Sequence, residues 1–192
     1  MRPALLSSVI VALSGLACDP ASAIFVDSFD TEHGGTGKLN YSGFANWTVS
    51  TGTVDLLGPG YFDLLPGHGL YVDLDGTAGG AGRLTSRAID LQPGLYELSF
   101  DLAGSQRGDT NTVTVALLGT AWTTSITLVS SAALTTYSSG VIAIASPTTV
   151  QIQFQNSGND NKGALLDNVQ LVPAPGALAL VALAGFCARR RR

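Results

Sequence analysis

Acids are the chief chemical resource of this 192-residue chain: fourteen Asp and Glu stand against two His and two Cys. Two carboxylates at the right separation can hydrolyse a glycosidic bond, one as acid and one as base or nucleophile. Asp73, Asp75 and Asp101 offer themselves, but they alternate with aliphatic neighbours or close strands. That pattern predicts solvated face residues rather than catalysts. Calcium is a second use for acids, because it accepts carboxylate and carbonyl oxygens from loops. Asp27 and Asp30 near the start, with Asp167 beside Asn168 near the end, are candidate ligands of a structural calcium. They converge only if the first and last strands pair. The bland alternative for Asp167 is a hydrogen bond to a neighbouring turn.

Other chemistries fail on spacing. His33 and His68 are flanked by glycine in expected loops, and zinc needs three or four regularly spaced ligands. The stretch GGTGKL, residues 34–39, has Glu32 where a phosphate loop needs its first glycine. It has Leu39 where Ser or Thr should follow Lys38. No G-x-S-x-G elbow occurs, and Ile24 to Val172 contains no Cys, which removes both thiol nucleophiles and disulfides. The sequence therefore points away from an enzyme and names no cofactor beyond the calcium.

Sugar binding would need aromatic platforms with polar partners. Trp47, Tyr61, Phe62, Tyr71, Trp122 and Tyr137 are the available rings, and most are expected in the core or in strand pairs. Tyr61 and Phe62 stand apart, because GPGYFDLLPGHG around them reads as a long Gly- and Pro-rich loop. From Ile24 to Val172, five basic residues face thirteen acids, a balance of −8. Such a surface repels phosphate backbones and disfavours nucleic acid as a partner.

The elements that must hold these residues are strands. NWTVSTGTVDLLG, GLYVDLDG, LYELSFDLAG, NTVTVALLG and TTVQIQFQNSG all alternate apolar and polar residues with a period of two. Nine or ten short strands with Gly-rich turns predict an all-β antiparallel sandwich of the jelly-roll type. In GLYVDLDG, Leu70, Val72 and Leu74 are expected to face the core while Tyr71, Asp73 and Asp75 face water. GNDNKG, Gly158 to Gly163, reads as a hairpin turn. No helical period lasts three turns, which argues against a parallel α/β sheet.

The two ends are of another kind. Residues 1–23 combine Arg2, an apolar stretch from Ala4 to Ala17 and Ala21-Ser22-Ala23, the three regions of a secretory signal peptide. Cleavage after Ala23 starts the mature chain at Ile24. Gly15 stands three residues before Cys18, where a lipobox wants a branched aliphatic, so plain cleavage is expected over lipidation. The domain then spans residues 24–172. At the other end, Pro173-Ala174-Pro175 precedes an apolar run from Gly176 to Ala188. Those thirteen residues make a helix of about 20 Å, against a hydrocarbon core of about 30 Å. Arg189, Arg190, Arg191 and Arg192 follow, and they would lie on the cytoplasmic side of a membrane with the sandwich outside.

A proline motif, a short apolar helix and a terminal arginine cluster resemble the PEP-CTERM sorting signal of bacteria. Here Ala174 occupies the place of the name-giving Glu. The resemblance implies transient anchoring in the inner membrane, recognition by an exosortase-type processing enzyme, and delivery to the cell surface or extracellular polymer. VDSFD, NWTVSTGTVDLLG, GHGLYVDLDGT, GLYELSFDLAGSQRG and LLDNVQLV resemble the choice-of-anchor C family, which is similar to galactose-binding-like and carbohydrate-binding jelly rolls. That family supplies no catalytic residues to transfer. The expected protein is thus an exported, non-catalytic surface or matrix protein. A carbohydrate-binding module for extracellular polysaccharide is the alternative, and a hydrolase ranks last.

Overall fold

The structure is a computed structural model that describes residues 23–174. The expected signal peptide up to residue 22, Pro175, the apolar run and the four arginines lie outside the described residues.

Thirteen strands form among the described residues. The first six are β1 (Phe25–Asp27), β2 (Trp47–Ser50), β3 (Asp55–Leu57), β4 (Tyr71–Asp73), β5 (Arg83–Ser86) and β6 (Ile89–Leu91). Then follow β7 (Gly94–Ala103), β8 (Thr110–Leu118), β9 (Thr123–Val129) and β10 (Thr135–Ser138). The last three are β11 (Ile142–Ile144), β12 (Thr148–Ser157) and β13 (Leu165–Pro173). One four-residue 3-10 turn, Glu32–Gly35, is the helical content described. Among these residues no helix is long and apolar enough to cross a membrane.

Every strand pairing is antiparallel. One sheet runs β3, β4, β13, β7, β10, with β1 also on β13 and β11 also on β7. The other runs β2, β5, β12, β8, β9, with β6 also on β12. The strand count exceeds the expected nine or ten because the edges of long strands are shared. β5 and β6 pair with successive parts of β12, as β4 and β1 do with β13.

Alternation along each strand builds the core between the sheets. Val150, Ile152 and Phe154 of β12 point inward, while Gln151, Gln153 and Gln155 stay half-buried on the other face. Tyr96, Leu98, Phe100 and Leu102 of β7 do the same from the opposite sheet. Phe100 meets Phe154 edge to face at 5.2 Å, joining the two layers. Phe25, Phe29 and Trp47 close one end of this core. β7 and β8, like β12 and β13, are consecutive yet lie in opposite sheets. GNDNKG is therefore an inter-sheet crossing and not the expected hairpin turn.

The expectation for GLYVDLDG needs a second correction. Val72 and Leu74 are buried in the core as expected, but Tyr71, Asp73 and Asp75 are also fully buried. A local period of two shows that two faces differ; it cannot show that a distant loop covers the polar one. Here residues 58–70 fold back so that Leu65 packs with Leu57, Tyr71, Ala103 and Leu165 in a second, smaller apolar cluster. Leu65 N donates to the Tyr71 hydroxyl at 3.0 Å, fixing the loop over the sheet.

The sheet also reaches into the proline motif. Pro173 ends β13 opposite Tyr96, and Ala174 is buried, its N–H donating to Leu95 O at 2.8 Å.

Candidate functional site

The register of the first sheet places Asp55, Asp73, Leu165 and Ala103 in one row across β3, β4, β13 and β7. These side chains leave the face opposite the core, together with Leu57 and Tyr71 of the next outward row. Over this face lies a cleft of about 250 Å³. Leu39, Leu57, Leu64 and Phe62 give it a mostly apolar lining, to which Asp55, Thr77, Arg107 and Asn161 add a few polar atoms.

Phe62 stands at the cleft 65% exposed, with its backbone at φ 49°. A bulky residue rarely adopts the left-handed region, which costs on the order of 1 kcal/mol and persists only when neighbours enforce it. Tyr61 packs beside it. Its ring lies edge-on to Phe62 at 5.3 Å and is packed so closely on Gly37 that a Cβ there would sit 2.6 Å from Tyr61 Cδ1. Of the two aromatics singled out in the sequence, Phe62 is thus presented to solvent and Tyr61, half-buried, props it.

The polar part of the lining is pre-set by buried carboxylates. Asp55 Oδ1 accepts from Asn40 N at 2.6 Å and from Thr77 N at 3.2 Å, and Oδ2 accepts from the Thr77 hydroxyl at 2.7 Å. That holds the turn after β4 against the sheet. Arg107 donates from Nη2 to Asp73 Oδ2 and from Nη1 to Asn161 O at 2.7 Å. Its side chain keeps 29% exposure, so a fixed guanidinium lines the cleft. Asp73 also accepts from Asp75 N at 3.1 Å and Gly163 N at 2.9 Å. Burial pushes the Asp73 carboxyl up to about 7, against the opposing pull of Arg107. Burial likewise raises Asp75, and pushes the Tyr71 phenol up to about 12.

Asp73 and Asp75 are therefore not the solvated face residues the alternation predicts. They hold loops from beneath. Asp101 is half-buried on β7, directly opposite Asp167 of β13.

The expected calcium ligands lie near one another because β1 does pair with β13, Asp27 opposite Val169. Each is already engaged. Asp27 accepts from Phe29 N, Asn46 Nδ2 and Trp47 Nε1. Asp30 accepts from Leu70 N and Ser28 Oγ. Asp167 accepts from Asn168 N at 2.7 Å and Asn168 Nδ2 at 3.3 Å, within β13 where its register shifts, and not from a neighbouring turn. Burial, then the charges of Asp30, Asp101 and Asp27, push the Asp167 carboxyl up to about 7. Among the described residues, no group of three or more His, Cys, Asp or Glu side chains could hold a metal ion. Both histidines are exposed, His68 in a loop and His33 in the 3-10 turn with its Nδ1 3.0 Å from Thr36 O.

Asp55, Thr77, Arg107 and Asn161 carry no local signal that joins them, since the cleft gathers six separate stretches of chain. One signal was available: Arg107 is among only five basic residues in a strongly acidic domain.

No family model matches the chain, and no curated protein matches it. Among solved structures it is similar to the xylan-binding domain CBM22-1 of Paenibacillus barcinonensis Xyn10C. That match has 13% identity over 82% of this chain and 97% of the other, with a TM-score of 0.43. CBM35 from Paenibacillus barcinonensis matches at 19% identity over 73% of this chain and 100% of that domain, TM-score 0.41. The Podospora anserina GH26-CBM35 β-(1,4)-mannanase matches at 20% identity over 70% of this chain, TM-score 0.42. The chain spans 27% of the length of that mannanase. Likeness at this level assigns neither ligand nor site to this chain.

Proposed function

We propose that the sandwich is a non-catalytic module that binds a neutral glycan chain in the cleft beside Phe62. The exposed Phe62 ring, held at a strained φ over the cleft, carries the proposal. An aromatic face meeting a sugar's C–H face, with polar groups opposite to take its hydroxyls, is how such clefts select carbohydrate. Asn161, Thr77 and Arg107 supply those groups. The balance of −8 on residues 24–172 repels anionic polymers, which leaves neutral ones. A glycan array probed with the protein is expected to show binding confined to neutral polysaccharides. Binding to none, or to anionic polymers alone, would sink the idea.

The proposal extends to the protein's route. An exported chain loses its signal peptide after Ala23 and is held at the inner membrane by its C-terminal run. An exosortase-type enzyme then acts at the proline motif, placing the module on the cell surface or in extracellular polymer. The burial of Ala174 and the pairing of Pro173 constrain that enzyme, since bonds within a sheet do not reach an active site. The processed protein is expected to end at Ala174 or beyond. Intact-mass spectrometry of the exported form checks this, and a terminus at Pro173 or earlier would contradict it.

A further inference from the structure

Charge is unevenly spread along the domain. Residues 110–159 contain no acidic, basic or imidazole side chain, although the domain as a whole carries a balance of −8. The flanking Asp109 is half-buried and takes Asn111 Nδ2 at 2.6 Å. The uncharged stretch supplies β8 to β12. Of these, β9 ends its sheet and is paired on one side only. It is the longest edge strand among the described residues, with seven residues against four in β2 and β10 and three in β3. Lys38 already covers β3, exchanging main-chain hydrogen bonds with Leu56. β9 has no such cover, and it lacks the usual guards of an edge: charge, proline and bulge. Its register on β8 runs unbroken from Val129 opposite Thr110 to Thr123 opposite Ala116.

Leu117 N donates to Trp122 O at 3.2 Å. Alternation along an antiparallel ladder then turns the main-chain groups of Thr124, Ile126 and Leu128 toward β8. Those of Thr123, Ser125 and Thr127 point away from the sheet, where no strand meets them among the described residues. Ile126 is half-buried against the core, while Ser125, Thr127 and Val129 are exposed on the outer face.

We propose that β9 is a self-association edge, on which a second copy of this chain pairs antiparallel across a two-fold axis through Ile126. That register sets Ser125 opposite Thr127 of the second copy, and Thr127 opposite its Ser125, so that their free main-chain groups exchange hydrogen bonds. It sets Ile126 against its own copy and lays Thr123 beside Val129, which is 59% exposed in the single chain. The charge pattern selects this occupant. Two acidic domains repel wherever their carboxylates meet, and the uncharged strands let them approach without that cost. A two-fold contact uses up the edge and stops at a dimer. One strand pair makes a small interface, so the affinity belongs in the micromolar range. The dimer carries two Phe62 clefts, a gain in avidity that rests on the glycan reading. The pairing itself does not.

Sedimentation equilibrium of the exported protein tests it, and a monomer–dimer equilibrium at micromolar concentration is expected. Ser125→Lys with Thr127→Lys sets like charges opposite one another and should weaken the dimer about tenfold or more. Both positions are exposed, so the melting temperature should hold. The same two positions changed to Glu should weaken it alike, and mixing the Lys and Glu forms should restore the dimer. Under mild oxidation Ile126→Cys should give a linked dimer above the background set by Cys187, since facing Cα atoms of such a pair lie within disulfide reach. Thr48→Cys, on the edge strand β2, should not. A monomer throughout, a dimer unmoved by the charged pairs, no recovery on mixing, or linkage through Thr48→Cys alone would overturn the proposal. A monomer whose polysaccharide retention is lost in the Lys form would overturn it in favour of a polymer on this edge. Sedimentation needs no glycan, so failure of the glycan reading would leave the dimer standing.

Discussion

Asp73→Ala is expected to lower the melting temperature by roughly 4–24 °C, the largest single-residue loss among the polar groups beneath the cleft. Two buried main-chain donors, Asp75 N and Gly163 N, lose their acceptor. Each unsatisfied buried donor costs about 1–3 kcal/mol, so the pair accounts for about 2–6 kcal/mol. The lost ion pair adds little to this, because the Arg107 side chain is 29% exposed and water can reach it. For a domain of this size each kcal/mol moves the midpoint by about 2–4 °C. Asp73→Asn keeps one acceptor oxygen and should lose distinctly less. Equal losses in the two variants would show that the hydrogen bonds are not the cause. Scanning calorimetry at neutral pH gives both numbers.

The second large effect is on the response to pH. Asp167 sits near 7 in the folded chain because burial, and then neighbouring acids, disfavour its charge. In the unfolded chain the same carboxyl returns to its ordinary value of 3.8. Between those two values the folded state holds a proton that the unfolded state has released, so stability falls as pH rises. The contribution is fully present below about 4, is lost progressively up to about 7, and changes no further above that. Asp73 acts in the same direction. With a chelator present, the melting temperature is therefore expected to be higher at pH 5 than at pH 8, by several degrees. Asp167→Asn removes the charge and should stabilise the protein at pH 8 by a few kcal/mol, with little change at pH 4. It should flatten the pH dependence in part, leaving the share that belongs to Asp73. A profile unchanged by Asp167→Asn would show that this carboxyl does not titrate in that window.

Both effects arise where the sequence was hardest to read. TTVQIQFQNS and LYELSF announce their buried faces, because a strand with one solvated side must alternate, and both became long central strands. DLD alternates in the same way, yet its polar side is buried by residues 58–70 and by the loop that carries Asp160. Coverage of that kind is a tertiary fact, set by segments tens of residues away. GNDNKG shows a related limit: turn residues show that the chain reverses, but not which sheet it returns to. Phe62 was legible because glycines and prolines around it break any regular strand. Its partners Asp55, Thr77, Arg107 and Asn161 were not, since no local spacing links residues so far apart in the chain.

The glycan-binding cleft is tested most directly by affinity electrophoresis through gels containing neutral polysaccharides, with the unaltered protein beside Phe62→Ala. Phe62 is 65% exposed, so its removal should leave folding intact, with an unchanged melting temperature as the control. At least one neutral polysaccharide is expected to retard the unaltered protein. Phe62→Ala should weaken that retardation about tenfold or more, the loss that follows when an aromatic anchor of a small site is cut away. Retardation by no polysaccharide, or equal retardation of Phe62→Ala, would contradict the account.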